Sequence, residues 1–262
     1  MLRTRLIPVL LLQNGLLVRS ESFSVHQVVG NPIHEAKRFN EWNVDELIYL
    51  DISREGSYDL RRDDHKVKSL AEPMEILEEV SKSCFMPLTW GGRIRSVEDM
   101  RQCFLHGADK IAINSGAFRN PSLISEGAKL FGSQAIVVSV DVRRHPDSRT
   151  EVMIDGGRES TGADPVAYVQ RAIAAGAGEV LLQSVDRDGT ARGYDLELIR
   201  AVASVSTVPV IALGGVGRYE NYVEGIRAGA DAVAAANIFH FKELSDRNAK
   251  RTMNKAGINV RL

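Results

Sequence analysis

The chain lacks the marks of several large protein classes. It has only two cysteines, Cys84 and Cys103. That is too few for a disulfide framework, so both read as free thiols of a reducing cytosol. Lys and Arg number 33 against 34 Asp and Glu, a net charge of −1. No basic field exists to hold nucleic acid or anionic lipid. No apolar run approaches the ~20 residues of a membrane helix. No G-x-G-x-x-G follows the first strand, which argues against a Rossmann sheet. No Cys/His spacing suggests zinc. Neither a metal nor a cofactor is therefore expected. The N-terminus imitates a signal peptide, with Arg3 and Arg5 ahead of the apolar run 6–12. No small-x-small cleavage site follows, and the run reads as a buried strand.

What is present is alternation. Near-continuous apolar runs at 5–11, 46–52, 86–90, 110–114, 136–141, 179–184, 208–213 and 231–236 read as strands covered on both sides. Amphipathic stretches between them read as helices near 31–42, 72–82, 96–105, 121–130, 164–175, 195–204, 219–227 and 243–256. Ser96, Asp164 and Asp195 stand at cap positions. Eight strand–helix pairs in 262 residues predict one (βα)8 TIM barrel spanning 1–262, a fold of typically about 250 residues. Three links are long: 15–30, 53–71 and 142–163. The second is very polar, and the third carries hairpin-like turn residues at Pro146-Asp147 and Asp155-Gly156-Gly157. In a barrel all three lie at the C-terminal face, where active sites are built.

The two halves of the chain repeat each other. Residues 47–56 and 180–189 each run from an apolar stretch into Arg-acid-Gly, 133 residues apart. Gly91-Gly92 is answered by Gly214-Gly215, and Gly107-Ala108-Asp109 by Gly229-Ala230-Asp231. This is the pattern of a barrel built by duplication. The glycine pairs, with Asn114-Ser115 and Ala236-Asn237 one strand later, outline two phosphate-like sites facing each other across the mouth. Glycine in tight turns is the plainer reading. Arg93, directly after the first pair, either lends charge to an anion or fills its place. Asp188 and Gly189, closing the second Arg-acid-Gly, join the substrate-binding candidates.

Asp141 ends strand five, pointing into the mouth as a candidate general acid or base. Pairing with loop amides, Arg143 or Arg144 is the alternative. The repeat sets Leu11 opposite it, 130 residues earlier. Paired acid–base work needs two titratable groups, and this chain offers a carboxylate and a hydrocarbon. Arg5, Glu46, Lys110 and Glu179 lie at the N-terminal ends of strands one, two, four and six. Spacing alone makes them a structural ring of ion pairs on the barrel floor. His240, in an apolar run, reads as a buried, hydrogen-bonded core histidine.

Together these residues resemble the cyclase subunit family of imidazole glycerol phosphate synthase, the HisF family, along essentially the whole chain. Asp45-Glu46-Leu47, Gly107-Ala108-Asp109-Lys110, Asn120-Pro121-Ser122-Leu123-Ile124, Phe131-Gly132-Ser133-Gln134-Ala135, Asp186-Arg187-Asp188-Gly189-Thr190, Phe239-His240-Phe241 and Asn259-Val260-Arg261-Leu262 carry the likeness. The resemblance implies a barrel whose N-terminal face docks a glutaminase. Ammonia passes through it to the C-terminal mouth. It turns Arg5, Glu46, Lys110 and Glu179 into an ammonia gate, and makes Asp109 a docking residue.

The departures lie at the mouth. The family pattern has two catalytic aspartates, at the ends of strands one and five; Asp141 matches the second, and Leu11 stands at the first. Arg93 replaces a phosphate-loop glycine. Gln183, Leu213 and Asn237 replace small hydroxyl residues, and Arg19 stands where lysine is usual. This looks like a divergent branch that serves bacterial surface-polysaccharide synthesis. There ammonia converts an acetamido group of an aminosugar to an acetamidino group, with a third, adenylating protein activating the sugar. The alternatives are a true histidine-pathway cyclase and a non-catalytic conduit for the glutaminase.

Overall fold

The computed structural model describes residues 3–42, 44–54, 58, 70, 72–242 and 245–262. Most of the polar link after strand two, including Glu55, Arg61, Arg62, Asp63, Asp64, His65 and Lys66, lies outside the described residues. The elements run β1 (Arg5–Gln13), β2 (Leu16–Glu21), β3 (Val25–Gly30), α1 (Pro32–Glu41), β4 (Leu47–Asp51), α2 (Pro73–Ser81), β5 (Leu88–Gly91), α3 (Val97–Leu105), β6 (Lys110–Ile113), α4 (Ser115–Arg119) and α5 (Ser122–Phe131). They continue with β7 (Ile136–Arg144), β8 (Thr150–Ile154), β9 (Glu159–Ser160), α6 (Pro165–Ala174), β10 (Glu179–Ser184), α7 (Leu196–Ala203), β11 (Val210–Leu213), α8 (Glu220–Arg227), β12 (Ala232–Ala235), α9 (Ile238–Phe241) and α10 (Ser245–Lys255).

Eight parallel strands close on themselves in the order β1-β4-β5-β6-β7-β10-β11-β12, with β12 paired back to β1. All eight expected strands are present, so the chain forms a single (βα)8 barrel. The expected caps form too. The hydroxyl of Ser96 and the carboxylates of Asp164 and Asp195 accept backbone N–H bonds at the starts of α3, α6 and α7.

Alternation along the strands makes two cores. Leu6, Leu10 and Leu12 face outward, into the layer shared with the helices. Ile7, Val9 and Leu11 face inward, with Ile48, Ala112, Val137, Leu181, Ile211, Leu213, Ala232 and Ala234. The barrel interior is thus lined mainly by hydrocarbon, with the small hydroxyls of Thr89 and Ser139 among it.

The sequence left 15–30 as a link. The structure makes it an antiparallel hairpin, β2–β3, which continues out of β1. Its half-barrel counterpart after β7 is the hairpin β8–β9. Both lie at the mouth. The tips meet, for the Phe23 ring lies against Gly157, where an added Cβ would fall 2.9 Å from it.

Duplication also shows at the floor. Asp109 Oδ2 accepts the Leu88 N–H at 2.8 Å, and Asp231 Oδ2 accepts the Val210 N–H at 2.9 Å. In each case the aspartate's own N–H returns a bond to the same residue's carbonyl. Asp45 latches Leu6 in the same way. These carboxylates satisfy a donor at the start of a barrel strand, the first residue of β5 and β11 and the second of β1. Asp109→Ala and Asp231→Ala should each cost about 1 kcal/mol, read as a lowered urea midpoint at unchanged slope. A change in neither would show that the latches contribute nothing.

Candidate functional site

At the floor, four charges close a ring. Arg5 Nη1 lies 2.7 Å from Glu46 Oε1 and 2.9 Å from Glu179 Oε1. Lys110 Nζ lies 3.1 Å from Glu46 Oε2 and 3.0 Å from Glu179 Oε1. Each carboxylate thus bridges both cations. Burial on its own would lower the Arg5 pKa, but Glu46 and Glu179 outweigh it and raise the value. The second oxygen of Glu179 is buried with no hydrogen-bond partner among the described residues. Directly above the ring the apolar column begins, since Ile7 follows Arg5 on the inner face of β1 and Leu181 follows Glu179 on β10.

At the opposite end of the column Leu11 faces inward, only 5% exposed. Its strand partner is Val18 of the hairpin, and both belong to one cluster with Leu213. Position 11 is therefore filled by hydrocarbon that also seats the hairpin on the mouth.

Asp141 is inward and buried, and is opposite Gln183 in the β7–β10 register. The alternative pairings do not form. Arg143 donates to the Gly157 carbonyl, and Arg144 is bidentate to Asp195. Among the described residues, the one hydrogen bond to the Asp141 carboxylate comes from Ser139 at 3.4 Å. Burial pushes its pKa from 3.8 up to about 7; Ser139 opposes the shift and the nearby charge of Asp188 adds to it. Asp188 is itself buried, in the turn after β10, where its N–H donates to the Ser184 carbonyl. Its Oδ2 accepts the Ser20 hydroxyl at 2.6 Å and the Phe23 N–H at 3.4 Å.

A cavity of about 260 Å³ opens beside Asp188 and Gly189. It is lined by Gly214, Gly215, Leu213, Ala236 and Asn237, with Arg19 and Lys242 at its edge. The sequence reading placed the glycines, Ala236 and Asn237 here, and missed Lys242. Only an isolated lysine after Phe239-His240-Phe241 signals it. Gly215 adopts φ +96°, and an added Cβ would strike the Gly193 carbonyl. Asn237 lines this cavity with its amide nitrogen already engaged. Its Nδ2 donates to the Ser20 carbonyl at 2.8 Å, tying β2 to the barrel.

The other half repeats the arrangement with a different occupant. Gly92 adopts φ +102°, and a Cβ there would strike the Asp51 carbonyl. Asn114 Nδ2 donates to the Ser139 carbonyl at 3.1 Å and to the Met153 carbonyl of β8 at 3.5 Å. Ser115 accepts the Asp155 N–H. Thus both repeat-related asparagines hold hairpins. Arg93 is held in the left-handed region at φ +59°, where a non-glycine residue is strained. Its guanidinium pairs with Asp51 at 3.0 Å, lies over the Tyr58 ring and donates to the Arg54 carbonyl. Of the two readings of Arg93, the structure shows it engaged with protein groups. His240 departs from expectation as well. Its Nε2 is buried without a partner among the described residues, and burial, then Arg38, lowers its pKa to about 4. Among the described residues no cluster of His, Cys, Asp and Glu is arranged to hold a metal, and no helix is long and apolar enough to cross a membrane.

Residues 5–245 match the family described as Histidine biosynthesis protein. The chain is similar to the imidazole glycerol phosphate synthase subunit HisF of Alkaliphilus metalliredigens (strain QYMF). The two are 40% identical over 264 residues, covering 100% of each chain.

The raised pKa of Asp141 fixes a sign. Folding favours its neutral form, so the stability it contributes is present below about pH 4 and is lost as pH rises through about 7. Asp141→Asn should therefore gain on the wild type across that interval, by about 2–4 kcal/mol at the alkaline end. Urea unfolding at stepped pH measures this. A difference independent of pH would contradict the buried, neutral carboxyl.

Proposed function

This chain belongs to the histidine biosynthesis protein family, among the relatives of its HisF cyclase subunits, and we propose that it is the synthase subunit of a glutamine-dependent amidotransferase. In this reading a glutaminase docks on the N-terminal face, and ammonia crosses the barrel to the mouth. The observation that carries it is the charged ring set on a hydrocarbon column. Such a column favours neutral NH3, because an ammonium ion would be desolvated there at large cost. The Glu179 oxygen that has no partner among the described residues is an acceptor ready for an N–H donor at the entrance.

The floor supports a partner. Six large apolar side chains are exposed among the described residues: Val25, Phe85, Leu105, Leu130, Phe241 and Leu262. By their places in the chain, four of them (Phe85, Leu105, Leu130 and Leu262) lie at the N-terminal end. Phe85 is 89% exposed, yet its N–H is held by Asn40 at 3.0 Å, as suits a preformed anchor. Asp109 is exposed beside Lys110; one oxygen is latched to Leu88, and the other, with no hydrogen bond among the described residues, is the one that would meet the glutaminase.

Leu11 favours an acceptor other than the histidine-pathway ribonucleotide. A hydrocarbon cannot transfer protons, and losing one member of an acid–base pair costs about 10²–10⁴ in rate. The acceptor proposed is an acetamido group of a surface-polysaccharide aminosugar, converted to an acetamidino group after activation by an adenylating protein. Its phosphate or nucleotide moiety would occupy the cavity beside Gly214, Gly215, Ala236 and Asn237. The opposite site, at Gly92, Asn114 and Ser115, carries Arg93 in place of an open cradle. The second reading is histidine-pathway cyclisation. The full-length identity to a HisF subunit favours it as strongly.

The two separate in one assay: the barrel with its glutaminase, glutamine, and either the ribonucleotide or the activated acetamido sugar. The first reading expects product from the sugar alone. Turnover of the ribonucleotide at an ordinary 1–10³ s⁻¹, a range typical of about any enzyme, would end it. Lys110→Ala or Glu46→Ala should reduce glutamine-driven product while ammonium-driven product persists. Asp141→Asn should reduce both by about 10²–10⁴. Unchanged product in Asp141→Asn would instead mark the barrel as a passive conduit.

A further inference from the structure

Leu11 leaves Asp141 without a partner on strand one, yet a second buried carboxylate stands at the same mouth. Asp188 follows β10, the strand hydrogen-bonded to β7, which carries Asp141. The register sets Gln183 opposite Asp141, and the turn beginning at Ser184, whose carbonyl accepts the Asp188 N–H, keeps Asp188 at the same end of the barrel. Asp188 lines the 260 Å³ cavity. Its Oδ2 is committed to Ser20 and Phe23, while its Oδ1 has no hydrogen bond among the described residues. Oδ2 of Asp141 has none either.

We propose that Asp188 is the second catalytic carboxylate of this mouth, paired with Asp141 across neighbouring strands and replacing the acid absent from strand one. The inference rests on the amidotransferase reading above. The charge of Asp188 adds to the burial that keeps Asp141 protonated, and two such carboxylates at one mouth are the arrangement in which a single proton is shared. The groups around them fit that state. Asp141 has Ser139 and Asp188 as its polar neighbours on the inner side, and the charge of Asp141 is felt by Tyr168 of α6 in the outer layer. Asp188 faces Ser20, Glu21 and the Phe23 N–H of the hairpin and His26 on β3, with Arg158 beyond His26. None of these places a fixed cation directly against either carboxylate, so nothing forces both to ionise.

The chemistry balances with the groups present. Ammonia from the column attacks an acceptor carbon bearing an oxygen leaving group, and a C–N bond forms. The ionised carboxylate takes a proton from the new ammonium nitrogen. The protonated partner gives its proton to the departing oxygen as the C–O bond breaks. The pair ends with the same single proton, its two members exchanged, and nothing is oxidised or reduced. A pair on strands five and six, rather than one and five, places the acceptor to one side of the barrel axis, toward the cavity that Asp188 lines.

The test combines a titration with turnover. Infrared difference spectra of the intact chain follow its protonated carboxyls with pH. The wild type should lose a carboxyl band with a midpoint near 7. Asp188→Asn, whose side chain still accepts from Ser20, should lower that midpoint. Asp188→Glu should hold it near the wild-type position. With the acceptor that reacts in the two-substrate assay, and ammonium salt as nitrogen source, Asp141→Asn and Asp188→Asn should each lose about 10²–10⁴ in rate. The double variant should be little worse, as for groups acting as a unit. An unmoved midpoint in Asp188→Asn, or its turnover at the wild-type rate, would overturn the pair. If neither acceptor reacts with the wild type, the amidotransferase reading falls, and the titration still decides whether the carboxylates share a proton.

Discussion

The two-residue pleat of a closed parallel sheet governs everything else in this molecule. Closure leaves no free edge, so each inner-facing residue has one fixed height and bearing. On β1 that rule strings Arg5, Ile7, Val9 and Leu11 along one line, from a charged floor to an apolar mouth. A register slip of one residue would bury Leu6 and Leu10 inside and turn the charged ring out among the helices. The ring and the mouth are therefore two ends of one constraint, and neither can move without the other.

The ends differ in the kind of order they have. At the floor, opposite charges neutralise each other within hydrogen-bonding distance, which is how buried charge is tolerated. At the mouth, Asp141 has among the described residues a single long hydrogen bond and no paired cation, and it meets burial by keeping its proton. One region is arranged to be electrostatically satisfied, and the other is left unsatisfied. Groups with displaced pKa values in a cavity are what proton-transfer chemistry requires.

Much of this was readable in the chain. Apolar runs of strand length and the internal repeat imply the barrel, and the 130-residue offset places Leu11 against Asp141 before any coordinates are seen. Other features were not readable. The hairpin β2–β3 was hidden because its strands carry Arg19, Glu21, His26 and Gln27 among apolar residues, and no tight-turn glycine marks its tip. Ser22 and Phe23 make that turn at positive φ. Asn114 and Asn237 look like phosphate ligands by position; their amide nitrogens also hold the hairpins, a long-range contact that spacing does not encode. Arg93 was ambiguous because its partners lie far away in the chain, Asp51 at the end of β4 and Tyr58 in the link that follows. Asp188 stood out by motif, but its proximity to Asp141 depends on which strands are neighbours.

The central claim is that the hydrocarbon at position 11 sets this barrel's chemistry apart. Leu11→Asp returns a carboxylate to the end of strand one, facing Asp141. The measurement is ammonium-driven turnover of the histidine-pathway ribonucleotide by wild type and Leu11→Asp. The account predicts that the substitution raises the rate by about 10²–10⁴ from a wild-type value near background. A wild type that already turns the ribonucleotide over at an enzymatic rate, with no gain in Leu11→Asp, would contradict it.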